Sequence, residues 1–276
     1  MPELPEVETI VRQLSDYLPG RVILCGEVRR PELLREAADS FLGGLEGRRI
    51  KRVGRRGKNI LLHLSGNQIL LVNLGMTGQL LFRSGAAEER DLAHLAVTFT
   101  LSRAGLLLYT DVRRFGRLLR FSTGAWEEES RRLGPEPLGK ALTAARFHAA
   151  LQSSRAPIRS WLLDQTRIAG VGNIYAAEAL FRAGIHPARS SRNLTPEESK
   201  ALLAGIRKVM REAIRARGTT LKDYRTADGD RGEFGPALQV YGREGEGCPT
   251  CKSRLRRIVF ANRSAFFCPR CQPEGL

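Results

Sequence analysis

Residues 162–181 read LLDQTRIAGVGNIYAAEALF, and the chain changes architecture across this stretch. Pro157 suits the first turn of a short helix running through WLLDQ (161–165). AGVGN (169–173) then makes a tight glycine turn. Asn173 is well placed to cap the following helix, IYAAEALFRA, which Gly184 and Pro187 end. Two helices joined by a glycine turn form a DNA-docking type of unit, although a plain helical hairpin has the same spacing.

Upstream the pattern is different. Residues 1–20 predict a helix: Pro5 fits a first turn, Glu3, Glu6 and Glu8 suit the positive end of its dipole, and Val7, Ile10, Val11 and Leu14 form an apolar stripe. From about 21 to 121, short apolar runs at hairpin spacings (VILC, NILLHL, QILLVNL, QLLF, LAVTFTL, GLLLYT, GRLLRF) predict an antiparallel β-sandwich or barrel. RRIKRVGRRGK (48–58) and DVRRFG (111–116) read as basic loops, and GPEPLG (134–139) as a linker. Downstream, Thr195 and Glu198 make a capping box for a helix that Gly218 stops. The next eighteen residues, TTLKDYRTADGDRGEFGP, are polar and without periodicity; a loop of that length is functional or disordered. The expected class is α+β: an N-terminal helix plus antiparallel β-sandwich (1–133), a helical domain (140–237) and a finger (239–273).

The formal net charge is +16 over 276 residues, an excess that a polyanion would share, and nucleic acid is the first candidate. A generally basic, soluble surface is the other reading. No apolar run is long enough to span a bilayer, no amphipathic basic helix suits a membrane surface, and no signal peptide is visible, so a cytoplasmic protein is expected.

Cys248, Cys251, Cys268 and Cys271 read C-x2-C-x16-C-x2-C, a spacing that closes a tetrahedron around one structural zinc. Between the pairs, KSRLRRIVFANRSAFF predicts two strands with a turn at ANRS, holding Arg263 at its tip. There Arg263 is either solvated or a phosphate-binding cation. Cys25 reads as a small buried hydrophobe.

Together MPELPEVET, GRRGK (54–58), LGMTG (74–78), DVRRFG, LLDQTRIAGVGNIYAAEALF, GTTLKDY (218–224) and VYGREGEGC (240–248) resemble the bacterial formamidopyrimidine-DNA glycosylases over nearly the whole chain. The resemblance implies a helix-two-turns-helix domain, a β-hairpin zinc finger and a monomeric repair enzyme acting on double-stranded DNA with oxidised purines such as 8-oxoguanine. It implies that Met1 is lost and that the Pro2 amine attacks C1′ of the damaged nucleotide. An α-amino group titrates near about 7.7–8.0, so part of it is a free base at neutral pH.

By the same resemblance Glu3 is the general acid/base, Lys58 holds a phosphate and shuttles protons, and Glu6 and Glu178 support the site from behind. Asn173 and Arg263 clamp the DNA backbone, and Arg263 is also linked to δ-elimination. His94, Arg155, Tyr241 and Asn73 are implied as further DNA contacts. Met76, Arg113 and Phe115 fill the void left by the extruded base, with Arg113 reaching the orphaned cytosine. The loop at 218–237 closes over that base through backbone groups of Thr219, Leu221, Lys222, Asp223 and Tyr224.

Three positions depart from the family pattern. Asn73 stands where His is usual, Val112 where Pro is usual, and Arg159 where Lys is common. The second change is expected to loosen the turn carrying Arg113 and Phe115. Two rivals remain: an endonuclease VIII-like enzyme for oxidised pyrimidines, and a non-catalytic zinc-finger DNA-binding protein.

Overall fold

The helix expected at the start of the chain runs Leu4–Tyr17 (α1) in the computed structural model, which describes residues 2–87, 92–260 and 263–274. Its start is fixed by a capping box between Glu3 and Glu6 with Pro5 in the first turn. Val7, Ile10, Val11 and Leu14 are all buried, and each contributes about 1.5–3 kcal/mol relative to exposure.

The chain forms two compact units, Met1–Arg132 with Ala213–Gly235, and Leu133–Glu212 with Pro236–Leu276. The sequence pattern groups 213–235 with the helical domain. In the structure this segment packs with the N-terminal unit, because Tyr224 and Ala227 join its apolar core.

The first unit holds two four-stranded antiparallel sheets. One has the order β1 (Ile23–Val28), β6 (Leu95–Leu101), β7 (Gly105–Asp111), β5 (Gly78–Ser84). The other runs β2 (Ile50–Arg56), β3 (Asn59–Leu64), β4 (Gln68–Asn73), β8 (Arg117–Ser122). One cluster takes Ile60, Leu62, Leu70 and Val72 from the second sheet, Val97, Phe99 and Leu107 from the first, and the buried stripe of α1. That is the sandwich core.

The structure differs from the sequence pattern at several places. The basic stretch 48–58 is largely a strand, not a loop: β2 pairs with β3 from Ile50↔Leu64 to Arg56↔Asn59. Its arginines hide the alternation, since only Ile50 and Val53 are large and apolar. Cys25 is exposed, not buried, because β1 is an edge strand that buries little beyond Ile23. Segments Ala38–Gly43 (α2) and Thr123–Ser130 (α3) are helices that no periodicity announces, α3 capped by Ser122.

The second unit carries α4 (Ala144–Gln152), α5 (Ile158–Leu163), α6 (Asn173–Ala183) and most of α7 (Pro196–Arg215). The expected capping box is present: the Thr195 N–H donates to Glu198 at 2.8 Å and the Glu198 N–H to Thr195 Oγ1 at 3.2 Å. GPEPLG is not a free linker. Arg207 of α7 donates to the carbonyls of Pro137, Gly139 and Leu142, and a side chain at Gly134 would collide with Arg167 backbone at 2.4 Å. The finger hairpin pairs β9 (Arg256–Phe260) with β10 (Arg263–Phe267). Of the expected ANRS turn, Ala261 and Asn262 lie outside the described residues.

Candidate active site

The N-terminal residues are deeply set. Pro2 is buried, and Glu3 and Glu6 are each 1% exposed. The Glu6 carboxylate joins two segments far apart in sequence. One oxygen accepts the Glu3 N–H at 2.8 Å and the other accepts the Thr219 N–H at 2.8 Å. The start of α1 and the stem of the 218–235 loop therefore share one anchor. Gly218 is required at that junction: its φ is +86°, and an added Cβ would lie 3.1 Å from Glu6 Cγ.

More of the loop is bolted down than its composition suggests. The Tyr224 hydroxyl donates toward the carbonyls of Arg217 (3.1 Å) and Glu6 (3.3 Å), and burial followed by the Glu6 charge pushes its pKa well above the ordinary value. Gln13 of α1 accepts the Ala227 N–H at 2.9 Å and donates to Asp228 at 2.6 Å. Leu221, Lys222 and Asp223 remain exposed, with the Asp223 carbonyl held by Gln79 at 2.6 Å. Gln79, His94, Thr110, Val112 and Arg225 are among the residues lining a cavity of about 320 Å³. Neither Gln79 nor Arg225 is legible as part of a site in the sequence.

Lys58 sits at the tip of a two-residue hairpin. Gly57 takes φ +57°, as the first position of such a loop favours, and Lys58 follows, half-buried. The turn is steadied by Arg55, which donates to the Gly57 carbonyl and to Glu8 of α1, both at 2.9 Å. Against the opposing cost of burial, hydrogen bonds from Arg55 and Arg12 keep Glu8 below the usual carboxylate range.

Met76, Arg113 and Phe115 protrude from two adjacent turns. Met76 is 37% and Phe115 53% exposed, and the Arg113 guanidinium lies 4.7 Å from the Phe115 ring centre. Asn73 is occupied in holding the first turn: its amide donates to Asn59 at 2.7 Å and its oxygen accepts the Gly75 N–H at 3.0 Å.

In the second unit, Asn173 does not cap α6. Gly172 has the extended backbone of the cap, and Asn173 is already helical. Its side chain instead donates to the Ser264 carbonyl at 3.0 Å and accepts from Arg159 at 2.7 Å. Arg159, 2% exposed, also donates to Ser264 at 3.2 Å. Burial first, and then the nearby Arg263 charge, lower its pKa. This junction joins α5, α6 and β10 directly behind exposed Arg263. Arg155 is exposed; Tyr241 is half-buried with its ring edge-on to Phe266 at 5.1 Å.

Glu178 is fully buried and accepts the backbone N–H groups of Gln239, Val240 and Tyr241 at 2.9–3.0 Å. Glu178→Gln turns one acceptor into a donor facing those N–H groups. It should cost about 1.5–3 kcal/mol, read as a lower urea midpoint without loss of the helical signal.

The four cysteine sulfurs all lie within 4.8 Å of one another. Two pairs are 3.8 Å (Cys248–Cys271) and 3.4 Å (Cys251–Cys268) apart. Those separations are too long for disulfides and close to the roughly 3.8 Å of a tetrahedral zinc–thiolate site. Hydrogen bonds from Ser253 bring Cys251 down to about 6, while burial pushes Cys268 and Cys271 up. The finger core is small and borrowed: Leu255, Cys248 and Cys268 pack with Val240 against Ala177 and Phe181 of α6.

Residues 1–118 match the family model described as Formamidopyrimidine-DNA glycosylase N-terminal domain. Residues 133–225 match the Formamidopyrimidine-DNA glycosylase H2TH domain, and 245–273 a zinc finger found in FPG and IleRS. The chain is 45% identical to Formamidopyrimidine-DNA glycosylase of Heliobacterium modesticaldum over 99% of this chain and all of the relative. It is 43% identical to the protein of that name from Paracoccus denitrificans, again over 99% of this chain and all of the relative. Among solved structures, a Lactococcus lactis FPG variant in complex with DNA containing Fapy-dG superposes with a TM-score of 0.92 at 32% identity, covering 99% of this chain and 100% of that one. The MutM (FPG) protein of Thermus thermophilus gives 0.88 at 43% identity over the full length of both.

Proposed function

The chain belongs to the formamidopyrimidine-DNA glycosylase family, and from that premise we propose a bifunctional glycosylase and abasic-site lyase of base excision repair, with oxidised purines, 8-oxoguanine and formamidopyrimidines, as its lesions. Freed of Met1, the Pro2 nitrogen bonds to C1′ as the N-glycosidic bond breaks; the base departs with its electron pair and takes up the proton that the amine loses. Glu3 gives its proton to the sugar ring oxygen, the ring opens, and an iminium forms between Pro2 and C1′. That fixed positive charge acidifies the C2′ proton. Its removal expels the 3′ phosphate, and a second elimination expels the 5′ phosphate, leaving phosphates on both sides of a gap.

Lys58 and Arg263 hold backbone phosphates in this scheme, and Asn173 acts beside Arg263. Such contacts position the strand without reading its sequence. The exposed 221–223 tip meets the everted base. One structural zinc holds the finger, by its four-cysteine cluster and the matching domain. The protein works as a monomer on double-stranded DNA in the bacterial cytoplasm, at the nucleoid. No helix among the described residues is long and apolar enough to cross a membrane.

The observation that carries the reading is the shared Glu6 anchor, which ties Glu3, the neighbour of Pro2, to the loop that would meet the lesion. Borohydride reduction on a duplex with one 8-oxoguanine should freeze a covalent complex, and a dihydrouracil duplex should give far less. Absence of the complex would leave a binding protein; a preference for dihydrouracil would move the enzyme to the pyrimidine branch.

A further inference from the structure

Asp111 ends β7 and is only 3% exposed, yet none of the roles above uses it. Its carboxylate gathers donors from both protruding turns. The Thr77 hydroxyl donates to one oxygen at 2.6 Å, and the Arg113 N–H reaches the same oxygen at 3.2 Å. The Gly116 N–H donates to the other oxygen at 2.8 Å, with the Tyr109 hydroxyl 3.3 Å away. Thr77 in turn accepts the Arg113 N–H at 3.0 Å. One carboxylate thus ties the residue after Met76 to the two backbone positions that bracket Phe115.

The turns are also pressed together without side chains between them. A Cβ on Gly75 would stand 2.5 Å from the Phe115 carbonyl carbon and 2.6 Å from the Gly116 nitrogen. One on Gly116 would stand 1.7 Å from the Tyr109 oxygen. Arg114 takes φ +56°, a conformation a non-glycine residue holds only when its surroundings enforce it. Val112, where a ring would have stiffened the backbone, is exposed and makes no such tie.

We propose that Asp111 is a positioning residue: its buried carboxylate locks the 74–78 and 111–116 turns into one rigid wedge, so that Met76, Arg113 and Phe115 enter the duplex as a unit. The inference rests on the glycosylase reading above. A wedge matters only when a base must leave a stacked helix. It does not matter for a single strand that already lacks the base. In the lock, charge-assisted bonds to the carboxylate do the holding, and Arg113 meets the orphaned partner base at a fixed distance from Phe115.

Asp111→Asn and Thr77→Val are compared with the unaltered protein in three measurements. These are borohydride trapping on a single strand with a preformed abasic site, excision of 8-oxoguanine from duplexes pairing it with C or A, and thermal melting. Asp111→Asn should keep single-strand trapping, lose about tenfold in duplex excision, and lose much of its preference between the two partner bases. Thr77→Val should follow in the same direction by a smaller factor. Unchanged duplex excision and partner preference in folded Asp111→Asn would overturn the proposal, and so would equal losses on both substrates. If Asp111→Asn does not fold, Thr77→Val decides: unaltered partner preference refutes the lock. Failure of the unaltered protein to excise or to trap on the 8-oxoguanine duplex would instead refute the glycosylase reading itself.

Discussion

A preparation that retains Met1 should form no borohydride-trapped complex with 8-oxoguanine DNA, while the same chain ending in a free Pro2 traps it. With Met1 attached, the Pro2 nitrogen is an amide whose lone pair is delocalised, and it cannot add to C1′. Once freed it is a secondary amine, part of it unprotonated near neutral pH because α-amino groups titrate near about 7.7–8.0. Addition to the sugar then gives an iminium whose charge does not depend on a further proton. Pro2→Gly tests that last point. Glycine offers a primary amine, whose imine is neutral until protonated, so some trapping should survive while turnover falls roughly a hundredfold. Pro2 and Glu3 are both buried at the start of α1, so the substitution also loosens the chain at a packed position. A melting curve separates that loss from the chemical one. Full activity with Met1 in place, established by mass measurement of the chain, would end the assignment.

Removal of zinc should have the next largest effect, and in a different quantity. The finger borrows its core from α6 and has little apolar surface of its own. Structural zinc supplies about 10–16 kcal/mol of apparent binding energy to such modules, more than the module's own packing can replace. Chelation or Cys268→Ser should therefore release the β9–β10 hairpin and with it Arg263. DNA binding should weaken by an order of magnitude or more. The slope of log affinity against log salt should become shallower by about one for each phosphate the protein no longer neutralises. Trapping on a single-stranded abasic site should outlast duplex binding, since Pro2 and Glu3 lie in the other unit. Low pH should act in the same direction. Metal uptake needs thiolates, and burial holds Cys268 and Cys271 above the ordinary thiol value. Binding zinc thus expels protons, and acid favours its release. Unchanged affinity and salt slope in metal-free protein would remove the finger from the DNA interface.

The sandwich was legible because strands such as NILLHL and QILLVN bury most of their length and stand between turn residues. β2 was not, because a strand that exposes Lys51 and Arg52 has a composition indistinguishable from a basic loop. Cys25 misled for the converse reason: residue type suggests burial, but an edge strand leaves it outside. The zinc ligands were plain from spacing alone. Asn173 stands out in the sequence, but as a cap, which is not its local task. A cap and a residue one step inside a helix look alike until the partner strand, which carries Ser264, is placed. Asp111 was invisible as an organiser, since its partners at 77, 109, 113 and 116 gather only once β5 and β7 pair. Aspartate heading a turn was the one available signal.

The Glu6 carboxylate, bonded to both Glu3 and Thr219, couples two kinetic demands under the proposed mechanism. On that mechanism, a loop that samples many undamaged bases profits from opening often, but each opening that frees Thr219 also slackens the Glu6 hold on Glu3, next to the attacking amine. In that proposal search speed and chemical fidelity are set against each other through a single side chain. Retuning lesion preference has the most room at residues 221–223, where changes leave that tether untouched.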